Sequence, residues 1–287
     1  MLQMNKQLFQ PSPSPLGEGP GVRTKSRIQE LFETKQRGIL NIYCTAGYPN
    51  LNSTREIMQS LQDNGADLIE LGIPYSDPLA DGPVIQASGS KAIQNGMTVS
   101  KLFEQLKNFR QNSPLGDGGI HIPVILMGYT NQVLQYGFER FCADAENLEI
   151  DGLIFPDLPM YEYENEYRDI IKKHNLDFIF LVTPETSEER IKKLDSLSSG
   201  FLYAVSSSST TGKEKDFSVT EKYLKKLQEM NLTNPVLVGF GIKDKQTFET
   251  ACKYANGAII GTAYIKALEN VADVKEATKQ FLDRILK

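Results

Sequence analysis

The 287-residue chain is poor in the side chains that build metal sites and disulfides, with only three cysteines and two histidines. Cys44, Cys142 and Cys252 are odd in number, widely spread and without CxxC spacing, so they suggest neither a disulfide framework nor a zinc site and fit a reducing, cytoplasmic setting. His121 and His174 have no metal-ligand spacing and are expected in ordinary surface roles. A basic excess is also missing. The net charge of -5 and pI near 5.3 argue against a general nucleic-acid binder, while leaving room for a local phosphate pocket. No apolar run reaches the roughly 20 residues of a membrane span, and the N-terminus lacks the apolar block of a secretory signal. GxSxG, Walker and dinucleotide fingerprints are not evident, which ranks nucleotide cofactors low.

The chain does hold the material for a large core, being 40% hydrophobic and 23% charged. Residues 1–23, centred on PSPSPLGEGPGVR, are too rich in Pro, Ser and Gly to fold alone and are expected to form a disordered extension. Residues 24–287 are expected to be a single domain. It begins with a short amphipathic helix on Ile28, Leu31 and Phe32, placed to cap the bottom of a barrel. One unit then recurs, a β-branched apolar run followed by a polar turn and a helical pattern, with strands at 39–44, 68–73, 123–127, 152–155, 178–182, 201–205, 235–238 and 258–260. Helices are expected at 54–64, 83–95, 99–111, 138–145, 162–174, 187–197, 219–230 and 243–254, followed by C-terminal helices. Continuous apolar strands separated by helices imply a parallel sheet covered on both faces. Eight such units predict a closed (β/α)8 TIM barrel, whose active site lies at the C-terminal ends of its strands.

The stretch LIELGIPYSDPLADGPVIQA, residues 68–87, concentrates the chemistry. Glu70 falls inside an apolar strand, where an ionised carboxylate is costly without a partner, and no strand supplies an internal Lys or Arg for an ion pair. Asp81 follows in a proline-restricted loop over the same mouth, where it is either a second functional carboxylate or turn chemistry, as is Asp77. Gly241 after the seventh strand and Gly261-Thr262 after the eighth stand where this fold binds phosphate, and Gly212 closes the hydroxyl-rich loop SSSSTTG after the sixth. Tyr43, Tyr129 and Tyr203 are either pocket or core residues. Asp157 in FPDLP is either a ligand donor or a loop clamp.

In order along the chain, IELGIPYSDPLADGPVIQ, PVILMGYTN, FPDLP, YAVSSSSTTG, GFGI and GTAYIK closely resemble the tryptophan synthase alpha chain family. The resemblance implies retro-aldol cleavage of indole-3-glycerol phosphate to indole and glyceraldehyde 3-phosphate. It gives Glu70 the role of acid–base catalyst and Asp81 that of partner to the indole N–H. It further implies substrate contacts from Tyr43, Ile85, Tyr129, Asp157 and Tyr203, and a phosphate cradle of Gly212, Gly241, Gly261 and Thr262. No cofactor or metal is implied in this chain. Pyridoxal phosphate is expected in a beta-chain partner within an alpha-beta-beta-alpha heterotetramer, with neither nucleic acid nor membrane involved. Three positions depart from the commonest family pattern: Tyr43 stands where Phe is frequent, Thr262 where Ser is, and SSSSTTG lacks an Arg found in other versions of that loop. Another phosphosugar-barrel enzyme, or a subunit that chiefly activates a beta chain, remain the alternatives at this point.

Overall fold

The computed structural model describes residues 25–111, 118–205, 217–239 and 241–287. Nine parallel strands, β1 (Ile39–Thr45), β2 (Leu68–Gly72), β3 (Val124–Met127), β4 (Gly152–Ile154), β5 (Asp177–Phe178), β6 (Leu181–Val182), β7 (Leu202–Val205), β8 (Val236–Gly239) and β9 (Gly257–Ile260), hydrogen-bond in the order β5-β4-β3-β2-β1-β9-β8-β7-β6. The two ends of that order are pieces of one stretch of chain, parted only by Ile179 and Phe180. These two residues continue the ladders on both sides: Ile179 N–H donates to Leu153 O at 3.0 Å, and Tyr203 N–H donates to Phe180 O at 3.0 Å. The ring is therefore closed, and the expected fifth strand is present as two short segments. It breaks because the amide of Phe180 is drawn to the Ser198 hydroxyl at 3.0 Å instead of to a neighbouring strand.

Side chains alternate across each strand, so one residue in two points into the barrel. Ile39, Leu68, Ile125, Ile154, Ile179, Phe201, Leu237 and Ile259 come from the eight strand positions and form one inner layer, into which Ile28 inserts from below. The intervening residues, such as Leu40, Ile42 and Cys44 of β1, join the larger core under the helices. The helix carrying Ile28, Arg27–Thr34, starts with a capping box in which the Ser26 hydroxyl accepts from Gln29 N–H and the Gln29 side chain accepts from Ser26 N–H.

An ion cluster fastens that helix beneath the barrel. Arg27 donates to Asp151 Oδ1 at 2.9 Å and pairs with Glu149 at 2.7 Å, while Arg110 pairs with Asp151 Oδ2, which also accepts from Val124 N–H at 2.8 Å. With side-chain exposures of 6% for Arg110 and 2% for Asp151, the pair is taken out of water. Removing one partner strands the other charge, so Asp151→Ala is expected to lower unfolding free energy by about 3–5 kcal/mol, read from urea melts against wild type. A loss within 1 kcal/mol, the range of an exposed pair, contradicts this account.

The helices differ from expectation in detail. The pattern expected to run from Val99 to residue 111 is helical only over Val99–Gln105, and Asn108 turns the chain at a φ of 59°. A seven-residue helix, Thr130–Tyr136, stands after β3 where none was foreseen, its polar first turn having read as loop; it ends at Gly137, whose φ is 95°. His174 is buried instead of lying on the surface, and its Nδ1 hydrogen-bonds Glu146 Oε2 at 2.7 Å. Among the described residues no helix is long and apolar enough to cross a membrane.

Candidate active site

Above the apolar layer the inward positions become polar. On β1 the alternation that buries Ile39 brings Asn41, Tyr43 and Thr45 inward, and on β2 the step after Leu68 is Glu70, with Tyr43 and Glu70 directly opposed in the parallel register. Glu70 is 1% exposed. Burial pushes its carboxyl up to about 8, opposed by a hydrogen bond from Asn41 and reinforced by the charge of Asp81. Asn41 Nδ2 lies 3.2 Å from Glu70 Oε2, whereas Glu70 Oε1 and Asn41 Oδ1 have no hydrogen-bond partner among the described residues. Among the described residues no cation pairs with this carboxylate.

Asp81 reaches the same space from the loop after β2. Burial raises it to about 6, and a hydrogen bond from the Tyr129 hydroxyl works in the opposite direction. The Tyr129 oxygen also accepts from Ala80 N–H at 3.0 Å, so one phenol holds both the backbone and the side chain of the loop tip. Its ring stacks on Tyr75 with centroids 5.1 Å apart, and Gln132 Nε2 donates to Pro74 O at 2.6 Å. The unforeseen helix Thr130–Tyr136 is thus what the Asp81 loop rests on. Gly82 and Pro83 then open the helix Pro83–Gln94, with proline in its first turn, where its missing N–H costs nothing.

Two tyrosines complete the chamber. Tyr43 and Tyr203 are raised well above the ordinary phenol range, by burial first; Asp81 is the next cause for Tyr43, and Glu70 followed by Asp81 for Tyr203. Each sits against a glycine that admits it. A Cβ on Gly72 would lie 2.1 Å from the Tyr43 hydroxyl oxygen, and one on Gly239 would lie 2.4 Å from Tyr203 Cε2. Neither glycine nor Asn41 was singled out from sequence; the visible signal was an Asn at an inward step of an otherwise apolar strand, ILNIYCT.

The other candidates fall around this centre. Ile85 is partly buried in the first turn of Pro83–Gln94. Asp157 accepts from Thr130 N–H at 2.9 Å and from Thr130 Oγ1 at 2.9 Å, so its carboxylate is engaged at the start of the helix Thr130–Tyr136. Gly261 approaches Tyr43, with its notional Cβ 3.4 Å from Tyr43 Cβ, and precedes the exposed Thr262 that opens the helix Thr262–Ala267. Gly241 has a φ of 41° and open space around its Cβ position. Gly212 lies outside the described residues. No cluster of three or more His, Cys, Asp or Glu suited to a metal is found among the described residues.

A family model described as "Tryptophan synthase alpha chain" matches residues 12–285. The chain belongs to the tryptophan synthase alpha chain family. A relative in Parabacteroides distasonis is 48% identical over 261 residues, covering 91% of this chain and 99% of its own. The Flavobacterium johnsoniae alpha chain is 54% identical over 241 residues, covering 84% of this chain and 92% of its own. Among solved structures, the Legionella pneumophila alpha subunit superposes with a TM-score of 0.81 at 31% identity, over 91% of this chain and 97% of that one. An alpha-subunit mutant from Pyrococcus furiosus gives 0.78 at 33% identity, over 87% and 98%. Tryptophan synthase alpha chains are lyases that cleave indole-3-glycerol phosphate in tryptophan biosynthesis. They carry no cofactor, the pyridoxal phosphate belonging to the beta chain.

Proposed function

We propose that residues 24–287 form one catalytic domain in which Glu70 and Asp81 perform the family's retro-aldol cleavage. The observation that carries this reading is a pair of carboxyls in one enclosed mouth, one raised to about 8 and the other to about 6, with no cation paired to either among the described residues. Near neutral pH Glu70 holds a proton and Asp81 is ionised, and the two groups therefore have different jobs.

Asp81 accepts the indole N–H and stabilises the positive charge that develops on the ring. Glu70 gives its proton to indole C3, which becomes tetrahedral. The Glu70 carboxylate then takes the proton of the hydroxyl on the carbon attached to C3; the oxygen forms a carbonyl, the C3–carbon bond breaks, and its electrons restore the aromatic ring. Glu70 ends the cycle protonated, as it began. Tyr43, Tyr203, Tyr129 and Ile85 wall the ring, and Asp157 steadies the helix beneath Tyr129. Backbone N–H groups at Gly241 and Gly261-Thr262, with Gly212, hold the phosphate.

The expected docking face for a beta chain in an alpha-beta-beta-alpha assembly is the rim of the mouth, where Leu79 is 92% exposed, Tyr161 71% and Leu134 48%. A cytoplasmic location suits an enzyme with three free cysteines.

The proposal predicts a bell-shaped pH dependence of kcat/KM for indole release, with an acidic limb near the Asp81 value of about 6 and an alkaline limb near the Glu70 value of about 8. The chain contains no tryptophan, so protein emission does not overlie the indole signal; the released indole is separated from the substrate, which carries the same ring, before it is quantified. A rate that stays flat from pH 5 to 9 contradicts this division of roles.

A further inference from the structure

Asn41 has no place in the mechanism above, yet it is fully buried at an inward step of β1 with its amide against Glu70. Burying an amide among apolar side chains is costly unless its groups are satisfied. Here the Nδ2 group is satisfied only by Glu70 Oε2 at 3.2 Å, and Oδ1 is left without a partner among the described residues. The two oxygens of Glu70 are thereby made unequal: Oε2 accepts from the amide, and Oε1 is buried and unpartnered.

We propose that Asn41 is a positioning residue that fixes the rotation of the Glu70 carboxyl, holding Oε2 against β1 and leaving Oε1 as the oxygen that gives and takes the proton. An oxygen that already accepts an N–H is the poorer site for a proton, so the proton resides on Oε1. A carboxyl free to spin would present either oxygen, and only one of them faces the substrate carbon at a given moment. Fixing the rotation keeps the donor aligned with C3 through both halves of the cycle, which is the kind of pre-set geometry that raises kcat more than binding.

The same contact bears on titration, since an N–H donated to the carboxylate favours the charged form. The other titratable groups around Glu70 are Cys44 and Tyr43 on β1, Tyr203 on β7 and Asp81 from the loop. All of these carry negative charge when ionised and none donates to Glu70 among the described residues. Among the described residues, Asn41 is thus the group that opposes the upward push of burial.

This inference rests on Glu70 being the acid–base group, and the test separates the two. Asn41→Leu keeps the volume and removes the donor. Its kcat is expected to fall about tenfold with KM for indole-3-glycerol phosphate changed less than about twofold, and the alkaline limb to move up by about one pH unit. Circular dichroism checks the fold of the purified chain. Should that variant fail to fold, Asn41→Ser, whose hydroxyl is too short to reach Oε2, serves instead with the same expected direction. An unmoved alkaline limb and a kcat within twofold of wild type overturn the positioning role, provided Glu70→Gln is inactive. If Glu70→Gln keeps its rate, the assignment of Glu70 itself fails, and the positioning role with it.

Discussion

Glu70→Gln is expected to lower kcat for indole release by about 10³-fold while leaving KM nearly unchanged, because an amide of the same size can neither protonate C3 nor take up the hydroxyl proton. The same change is expected to make the protein more stable. The carboxyl is raised from an ordinary value of 4.5 to about 8 in the fold. Below pH 4.5 it is protonated folded and unfolded, and there is no effect. Between 4.5 and 8 the unfolded chain ionises and the folded one does not, so stability falls as pH rises, and above 8 the loss levels off. At pH 7 the difference amounts to on the order of 3 kcal/mol, which glutamine escapes because it titrates in neither state. Thermal melts of the two proteins from pH 4 to 9 should therefore diverge with rising pH. A Glu70→Gln variant that is active, or whose advantage in melting temperature does not grow with pH, contradicts this picture.

Asp81→Asn is expected to lower kcat/KM by about 10²-fold through loss of the negative charge that faces the indole nitrogen, since one preorganised electrostatic contact contributes effects of that size. It should also erase the acidic limb near 6, because the group whose ionisation sets that limb is gone. The alkaline limb should move down, as the Asp81 charge is one of the causes that raise Glu70. Persistence of the limb near 6 in this variant would assign it to another group.

The position of Glu70 was legible in the sequence because a lone carboxylate interrupts an apolar, period-two strand, and the strand count was legible because each buried parallel strand is continuous and separately bounded. The split of the fifth strand was not, since it depends on the Ser198 hydroxyl capturing the Phe180 amide from a distant turn. The helix Thr130–Tyr136 escaped notice for a local reason: seven residues beginning Thr-Asn-Gln carry too little apolar periodicity to stand out. Its role beneath the Asp81 loop arises from contacts of Gln132 and Tyr129 across the barrel rim, which no pattern along the chain encodes. Asn41 was visible but silent, because an amide in a strand acquires meaning only from the register that sets β1 beside β2. His174 read as a surface residue because its partner, Glu146, comes from a different helix.

The inner layer of Ile28 and eight strand residues, none more than 3% exposed, also decides how product leaves. A floor packed this tightly offers no passage to a molecule the size of an indole. Under the proposed assignment, product formed at Glu70 leaves on the side of the Asp81 loop and the exposed Leu79, away from this floor. Among the described residues the barrel is shut at its base, so a partner seated on the opposite rim would be the first thing an escaping apolar ring meets.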